Sequence, residues 1–231
     1  MDATDDLAIF EAGISQSGEM AALEKMIQPT FGIFTGIGDA HNSGFAGDNP
    51  EELKRKEKYL LFDNVKHLIE KQGDSIQIQQ ESNIEKVILA SNGNQFRLIT
   101  NSGERVFETA YQGKGAVSNA ALVALAAEAF GLDLPTIQAG LLSLPVISMR
   151  LEKINGKANN LLINDAYNLD EKSLEIAVQF LNINAEGKER VLFLAENPKQ
   201  INAETTILHS LQKILAQIKI EKEYLRTIKR G

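Results

Sequence analysis

At 231 residues with 43% apolar side chains, the chain can bury the core of one large domain or two modest ones. A net charge of -7 disfavours a nucleic-acid role, and no run of about 18 apolar residues exists to form a membrane span. The absence of cysteine removes disulfides, thiolate metal sites and cysteine nucleophiles together. The start, "MDATDDLAIFEAG", has neither a basic region nor a signal-type apolar core, which leads to a cytoplasmic expectation.

In chain order, Leu7–Phe10 reads as a short strand that ends at Glu11 and Gly13, as though the chain opened in mid-domain. "GEMAALEKMIQP" then places Met20, Leu23 and Ile27 at helical spacing until Pro29 stops it. "FGIFT" is again strand-like and runs into the glycine-rich "GIGDAHNSGF". The long segment "NPEELKRKEKYLLFDNVKHLIEKQG" has Leu61, Val65 and Leu68 at i, i+4 and i+7, which predicts one helix opening near Pro50. Strands followed by helices in this order predict an α/β fold with a parallel sheet wound by helices.

From Asp74 to Gln112 the texture changes to alternating pieces, "SIQIQQE", "KVILAS", "QFRLIT" and "RVFETAY", with "SNGN" and "NSGE" as turns. This predicts a small antiparallel patch. Two helices follow, "VSNAALVALAAEAFG", closed by Gly131, and "LPTIQAGLL". A proline and a Gly/Asn turn in "SLPVISMRLEKINGKANN" mark a joint, so the expected domains are 1–149 and 150–231. Beyond it come a strand ending in "NDAYN", the helix "DEKSLEIAVQFL", the strand "ERVLFLA" and the helix "ETTILHSLQKILAQIKI", after which no further strand is expected.

Ligands in open α/β sheets gather beyond the carboxyl ends of strands, which makes Glu11, His41 and Asp165 candidates by position. Carboxylate and imidazole suit a divalent cation, and without cysteine an oxygen-rich magnesium or manganese site is favoured over zinc. The alternative keeps His41 as a loop histidine bonded to backbone and Glu11 as a solvated carboxylate. Lys54, Arg55, Lys56 and Lys58 stand beside Glu51, Glu52 and Glu57, the pattern of a salt-bridged solvent face. Lys58 borders the apolar "YLLF", however, where lost hydration lowers an ammonium pKa, and a neutral amine takes up carbon dioxide as a carbamate. Arg150 at the joint offers a fork of donors for phosphate oxygens, or equally an interdomain salt bridge. Asp165 suits a ribose hydroxyl or a helix cap, and Asn119 a cap or a solvent-facing position. No G-x-x-x-x-G-K-[ST], dinucleotide fingerprint or G-x-S-x-G is present.

Taken together, "FEAGISQSGEM", "GIFTGIGDAHNSGF", "EKYLLF", "VSNAALVALAAEAFGL", "MRLE" and "NDAYN" resemble, in order and from residue 5 to residue 195, the Mur ligase family. These are ATP-dependent amide-bond ligases that build the peptidoglycan stem peptide. The likeness is nearest to the branch that adds D-alanyl-D-alanine, in the form fused in some bacteria to alanine racemase. The resemblance implies a central Mur-ligase-type sheet followed by a partial Rossmann-like domain. It also implies ATP and Mg2+ (or Mn2+) as cofactors, UDP-MurNAc-tripeptide and D-Ala-D-Ala as substrates, and an alanine racemase domain, fused or separate, as a partner. By family analogy Glu11, His41 and a carbamylated Lys58 look like metal ligands. Arg150 resembles the phosphate-contacting arginine, Asn119 an adenine contact and Asp165 the ribose-binding aspartate, with Tyr167 and Asn168 completing that motif.

The sequence departs from the family at Gly36 and Ala116, where asparagines are usual, and the GKT/S loop found upstream of "FEAG" in the family is absent. A chain of this kind is expected to be a central and C-terminal portion, inactive by itself. Two alternatives are a non-catalytic nucleotide-, metal- or partner-binding module and a related ligase with another amino-acid substrate.

Overall fold

The structure is a computed structural model that describes residues 4–37, 45, 49–81, 83–145, 147–167, 171–185, 187–195 and 222–226. The chain divides into two compact units, Met1–Leu144 and Pro145–Gly231.

The first unit is built on a six-stranded sheet in the order β1 (Phe31–Phe34), β2 (His67–Gln72), β3 (Ser75–Gln80), β4 (Asn83–Asn92), β5 (Gln95–Thr100) and β6 (Gly103–Glu108). Only β1 and β2 are parallel, with Phe31 opposite His67 and Phe34 opposite Glu70. The remaining neighbours are antiparallel, so the antiparallel part forms most of this mixed α/β sheet. Its turns are short. Gln72 pairs with Ser75 and Asn92 with Gln95, which leaves two-residue loops at Gly73–Asp74 and Gly93–Asn94. In each, the glycine takes the positive φ, 62° and 64°, that a tight hairpin requires.

Two helices, α3 (Lys114–Ala129) and α4 (Leu134–Leu142), cover one face of the sheet. Alanines at 120, 121, 124 and 126 are buried, and their small size lets α3 lie close to Ile69, Val87, Phe96, Leu98 and Phe107. Phe96 and Phe107 stack at 5.4 Å. Each large side chain buried here contributes about 1.5–3 kcal/mol. Asp133 caps α4 by accepting from the Thr136 N–H at 2.9 Å, with Pro135 in the first turn.

The other face of β1 and β2 lies against α2 (Pro50–Tyr59) and the 3-10 turn Leu60–Phe62. Asn49 caps α2, accepting from the Glu52 N–H at 3.2 Å, and Pro50 occupies the first helical position. The long helix expected through Gly73 therefore stops early. His67–Gln72 is a strand with Leu68, Ile69 and Glu70 all buried, because it is covered on both faces. A second departure lies at residues 7–10, where no regular strand forms. Leu7, Ile9 and Phe10 are exposed, and no described strand pairs with them to satisfy a ladder.

The second unit contains the antiparallel pair β7 (Glu152–Asn155) and β8 (Leu161–Asn164), the helix α5 (Glu171–Asn184), and the parallel pair β9 (Val191–Ala195) and β10 (Lys222–Arg226). Here β10 corrects the expectation that no further strand follows. Its only apolar residues are Tyr224 and Leu225, too few to show a period, yet it pairs in register from Lys222 opposite Val191 to Arg226 opposite Ala195. The expected helix at 204–220 lies outside the described residues. No described helix is long and apolar enough to cross a membrane.

Candidate functional site

The segment after Glu11 is shaped by two carboxylates. Helix α1 (Glu19–Ile27) begins at Gly18, which has φ 92° and no side chain with which to cap the first turn. Glu57 of α2 supplies the missing acceptor, taking the Gly18 N–H at 2.7 Å, the Met20 N–H at 3.2 Å and the Ser17 hydroxyl at 3.3 Å. Glu19 folds the preceding loop onto itself by accepting from the Ser15 N–H at 2.6 Å and the Gln16 N–H at 3.1 Å. These backbone donors hold its carboxyl below the ordinary range.

Glu57 and Lys54 correct the reading of α2 as a solvated charge face, since they are only 9% and 3% exposed. The signal was present in the sequence: Leu53, Glu57, Leu60 and Leu61 lie on one helical stripe, which put a carboxylate in register with apolar positions. The solvated reading does hold for Lys56, which pairs with Glu52 at 2.9 Å and is exposed.

Three distant stretches meet beside these bonds. Ile14, Met20 and Phe45 are buried together, with Ala12, Leu23, Leu60 and Leu61 packed around them. In the sequence Ala12 adjoins Glu11, Phe45 ends the glycine-rich stretch that contains His41, and Leu60 and Leu61 follow Lys58. Two clefts open here. One of about 560 Å³ is lined by Gly13, Ile14, Ser15, Glu19, Ala22 and Leu23. The other, about 320 Å³, is lined by Ser17, Phe45, Leu53, Lys56, Glu57 and Leu60.

Glu11 itself is exposed and Lys58 half-buried, while His41 lies outside the described residues. Burial pushes the Lys58 ammonium below its ordinary value, because desolvation disfavours the charged form. Among the described residues no group of three or more His, Asp or Glu side chains stands ready to hold a metal. A carboxylate, an imidazole and a lysine carbamate would together make a donor set suited to magnesium or manganese.

A buried carboxylate that sequence reasoning missed, Glu70, is tied to the residue after Lys58. Tyr59 donates its hydroxyl to Glu70, which also takes the Gln72 amide at 3.2 Å and faces the Arg55 guanidinium at 3.4 Å. Glu70 is 5% exposed. Burial, reinforced by the Glu70 carboxylate, pushes the Tyr59 hydroxyl up to about 12.

In the second unit, "MRLE" and "NDAYN" come together. The Arg150 guanidinium lies 4.1 Å from the centroid of the Tyr167 ring. The Leu151 N–H donates to Asp165 Oδ1 at 3.0 Å, and the Tyr167 N–H to the Met149 carbonyl at 3.2 Å. The ring remains 65% exposed, so the arginine and the aromatic face are both open to solvent. Asn168 lies outside the described residues. Asn119 is an exposed residue in the second turn of α3, which begins three residues earlier than the expected helix.

No family model matches the chain. A UDP-N-acetylmuramoyl-tripeptide--D-alanyl-D-alanine ligase of Bacillus subtilis (strain 168) is 25% identical over 235 residues, covering 95% of this chain and 50% of the relative. Among solved structures, MurF from Acinetobacter baumannii superposes with a TM-score of 0.69 at 20% identity, over 94% of this chain and 51% of the other. The MurF ligase of Thermotoga maritima, solved in complex with ADP, gives 0.63 at 16% identity over 93% and 56%. This chain spans about half the length of the curated relatives it matches. At these identities the likeness carries the architecture, and the fold of this chain is accordingly that of the Mur ligases.

Proposed function

We propose that this chain carries the metal-binding and nucleotide-binding parts of an ATP-dependent Mur ligase that joins D-Ala-D-Ala to UDP-MurNAc-tripeptide. The observation that supports the reading is the small core of Ile14, Met20 and Phe45 with Ala12 and Leu60, residues that stand near Glu11, His41 and Lys58 in the sequence. Half-burial of Lys58 supports it by enlarging the share of neutral amine at a given pH. The relatives' names supply the substrate pair, and the ADP complex of one structural neighbour supports the nucleotide.

In this mechanism the Lys58 amine adds to carbon dioxide and releases one proton, giving a carbamate anion that, with Glu11 and His41, would hold a divalent cation. Magnesium bound there would supply charge stabilisation to the phosphoryl group in transfer. Attack of the tripeptide carboxylate on the γ-phosphorus of ATP releases ADP and yields an acyl phosphate. The D-Ala-D-Ala amine then displaces phosphate from the acyl carbon and loses a proton, forming the amide. Arg150 neutralises phosphoryl oxygens through its fixed fork, Asp165, whose motif Tyr167 and Asn168 complete, accepts from a ribose hydroxyl, and Asn119 contacts the adenine. Catalysis of this kind is chiefly positioning and electrostatic stabilisation.

Calorimetry of the full chain with ATP and magnesium tests the reading. Binding in the micromolar range that falls at least about tenfold in Glu11→Ala and in His41→Ala is the expected result, the scale of one lost charged contact. Absence of binding, with a stable complex formed with another protein instead, would favour a docking module.

A further inference from the structure

Arg150 stands between two residues with left-handed backbone, Met149 at φ 61° and Leu151 at φ 49°. Neither is a glycine or an asparagine, so each carries a Cβ clash that only surrounding contacts can hold in place. Besides the Tyr167 N–H on the Met149 carbonyl, those contacts are carboxylates. A single oxygen of Glu152, Oε2, accepts the Met149 N–H at 3.0 Å, the Asn164 side-chain amide at 3.1 Å and the Ser148 hydroxyl at 3.3 Å. Asp165 holds the other flank through the Leu151 N–H. Cross-strand pairing of Glu152 with Asn164 fixes where the clasp sits, at the first residue of β7 and the last of β8.

The charge arrangement is equally informative. Glu152 is two residues from Arg150, yet its carboxylate turns to backbone and amide donors, and among the described residues it forms no ion pair with the guanidinium. Arg150 rests on the neutral face of Tyr167. Among the described residues no carboxylate pairs with its positive charge, the condition under which it best serves an external anion. The Met149 N–H, with help from Asn164 and Ser148, holds the Glu152 carboxyl below its ordinary range, so the clasp is ionised at neutral pH.

We infer that Glu152 is a positioning residue for Arg150: by holding Met149 in the left-handed conformation it sets the direction in which the guanidinium is offered beside Asp165 and Tyr167. The inference rests on the nucleotide reading of Arg150 and Asp165, and it adds to that reading the group that builds the phosphate-facing loop.

The test uses the full chain with Glu152→Ala, Glu152→Gln and Glu152→Ala combined with Met149→Gly. Three quantities are read: hydrogen exchange at the Met149 amide, the ring-current shift of the Arg150 side chain over Tyr167, and affinity for Mg-ADP. In Glu152→Ala, exchange should quicken and Mg-ADP affinity fall by at least about tenfold each, with loss of the ring-current shift, as expected for removing a charged acceptor. Glu152→Gln keeps an acceptor oxygen and should retain most of the shift and the affinity. Glycine at 149 takes a positive φ without a clash, so the combined variant should recover the shift and bring affinity to within about threefold of wild type.

An unchanged ring-current shift in Glu152→Ala, or failure of the glycine to restore it, would overturn the inference. If Glu152→Ala does not fold by itself, the combined variant with Met149→Gly carries the test: a ring-current shift near wild type supports the inference and its loss overturns it. A wild-type chain that ignores Mg-ADP would refute the nucleotide reading, while the exchange and ring-current results would still decide whether Glu152 orients Arg150.

Discussion

Glu57 accepts three hydrogen bonds from the start of α1, although Lys54, Arg55, Lys56 and Lys58 all stand within three residues of it on α2. Removing it leaves buried N–H groups without an acceptor, a far larger loss than breaking an exposed ion pair. Glu57→Ala should lower unfolding stability by about 3 kcal/mol in urea titration, against less than about 1 kcal/mol for Glu52→Ala, whose partner Lys56 is exposed. Equal costs for the two would contradict the assignment. Tyr59 makes a pH-dependent prediction. Its hydroxyl is raised from 10.0 to about 12, so the folded state favours the neutral phenol. That contribution is complete below pH 10 and is lost as pH rises toward 12. Thermal melts across this window should show a steep fall in wild type and a shallower one in Tyr59→Phe.

The element most misjudged from sequence is β2. Leu61, Val65 and Leu68 match a helical stripe, but the helix yields to a 3-10 turn at Leu60–Phe62, and the Val65 N–H bonds to the Phe62 carbonyl before the strand begins. A strand covered on both faces has an apolar run without alternation, and periodicity alone does not separate it from a helix. The half-covered strands β3 and β5 alternate and were legible, as was alanine-rich α3. Close contact between β1 and the 3-10 turn explains Gly32. A Cβ there would meet Phe62 at 2.6 Å and 2.8 Å and Leu68 at 3.0 Å. Gly32→Ala should therefore cost about 1–3 kcal/mol by denaturant unfolding, whereas Gly115→Ala in α3, which has open space around it, should be neutral or stabilising.

At the scale of the whole molecule, the α/β class and the order of the motifs were legible because each motif carries its own turn or helix chemistry. The bonds that assemble them were not, since Glu57 to Gly18 and Glu152 to Met149 depend on a partner's direction, which spacing does not encode. Arg150, Asp165 and Tyr167 follow from family likeness, and the structure groups them; Glu152, in the same motif, looks in sequence like one more surface acid. On the metal side everything turns on Lys58, and NMR of the full chain in 13C-labelled bicarbonate addresses it directly. A carbamate resonance should appear, grow as rising pH frees the amine whose pKa burial lowers, broaden on addition of Mn2+, and vanish in Lys58→Ala. A spectrum without that resonance, or one that Lys58→Ala and Mn2+ leave unchanged, would contradict a lysine carbamate at the metal site.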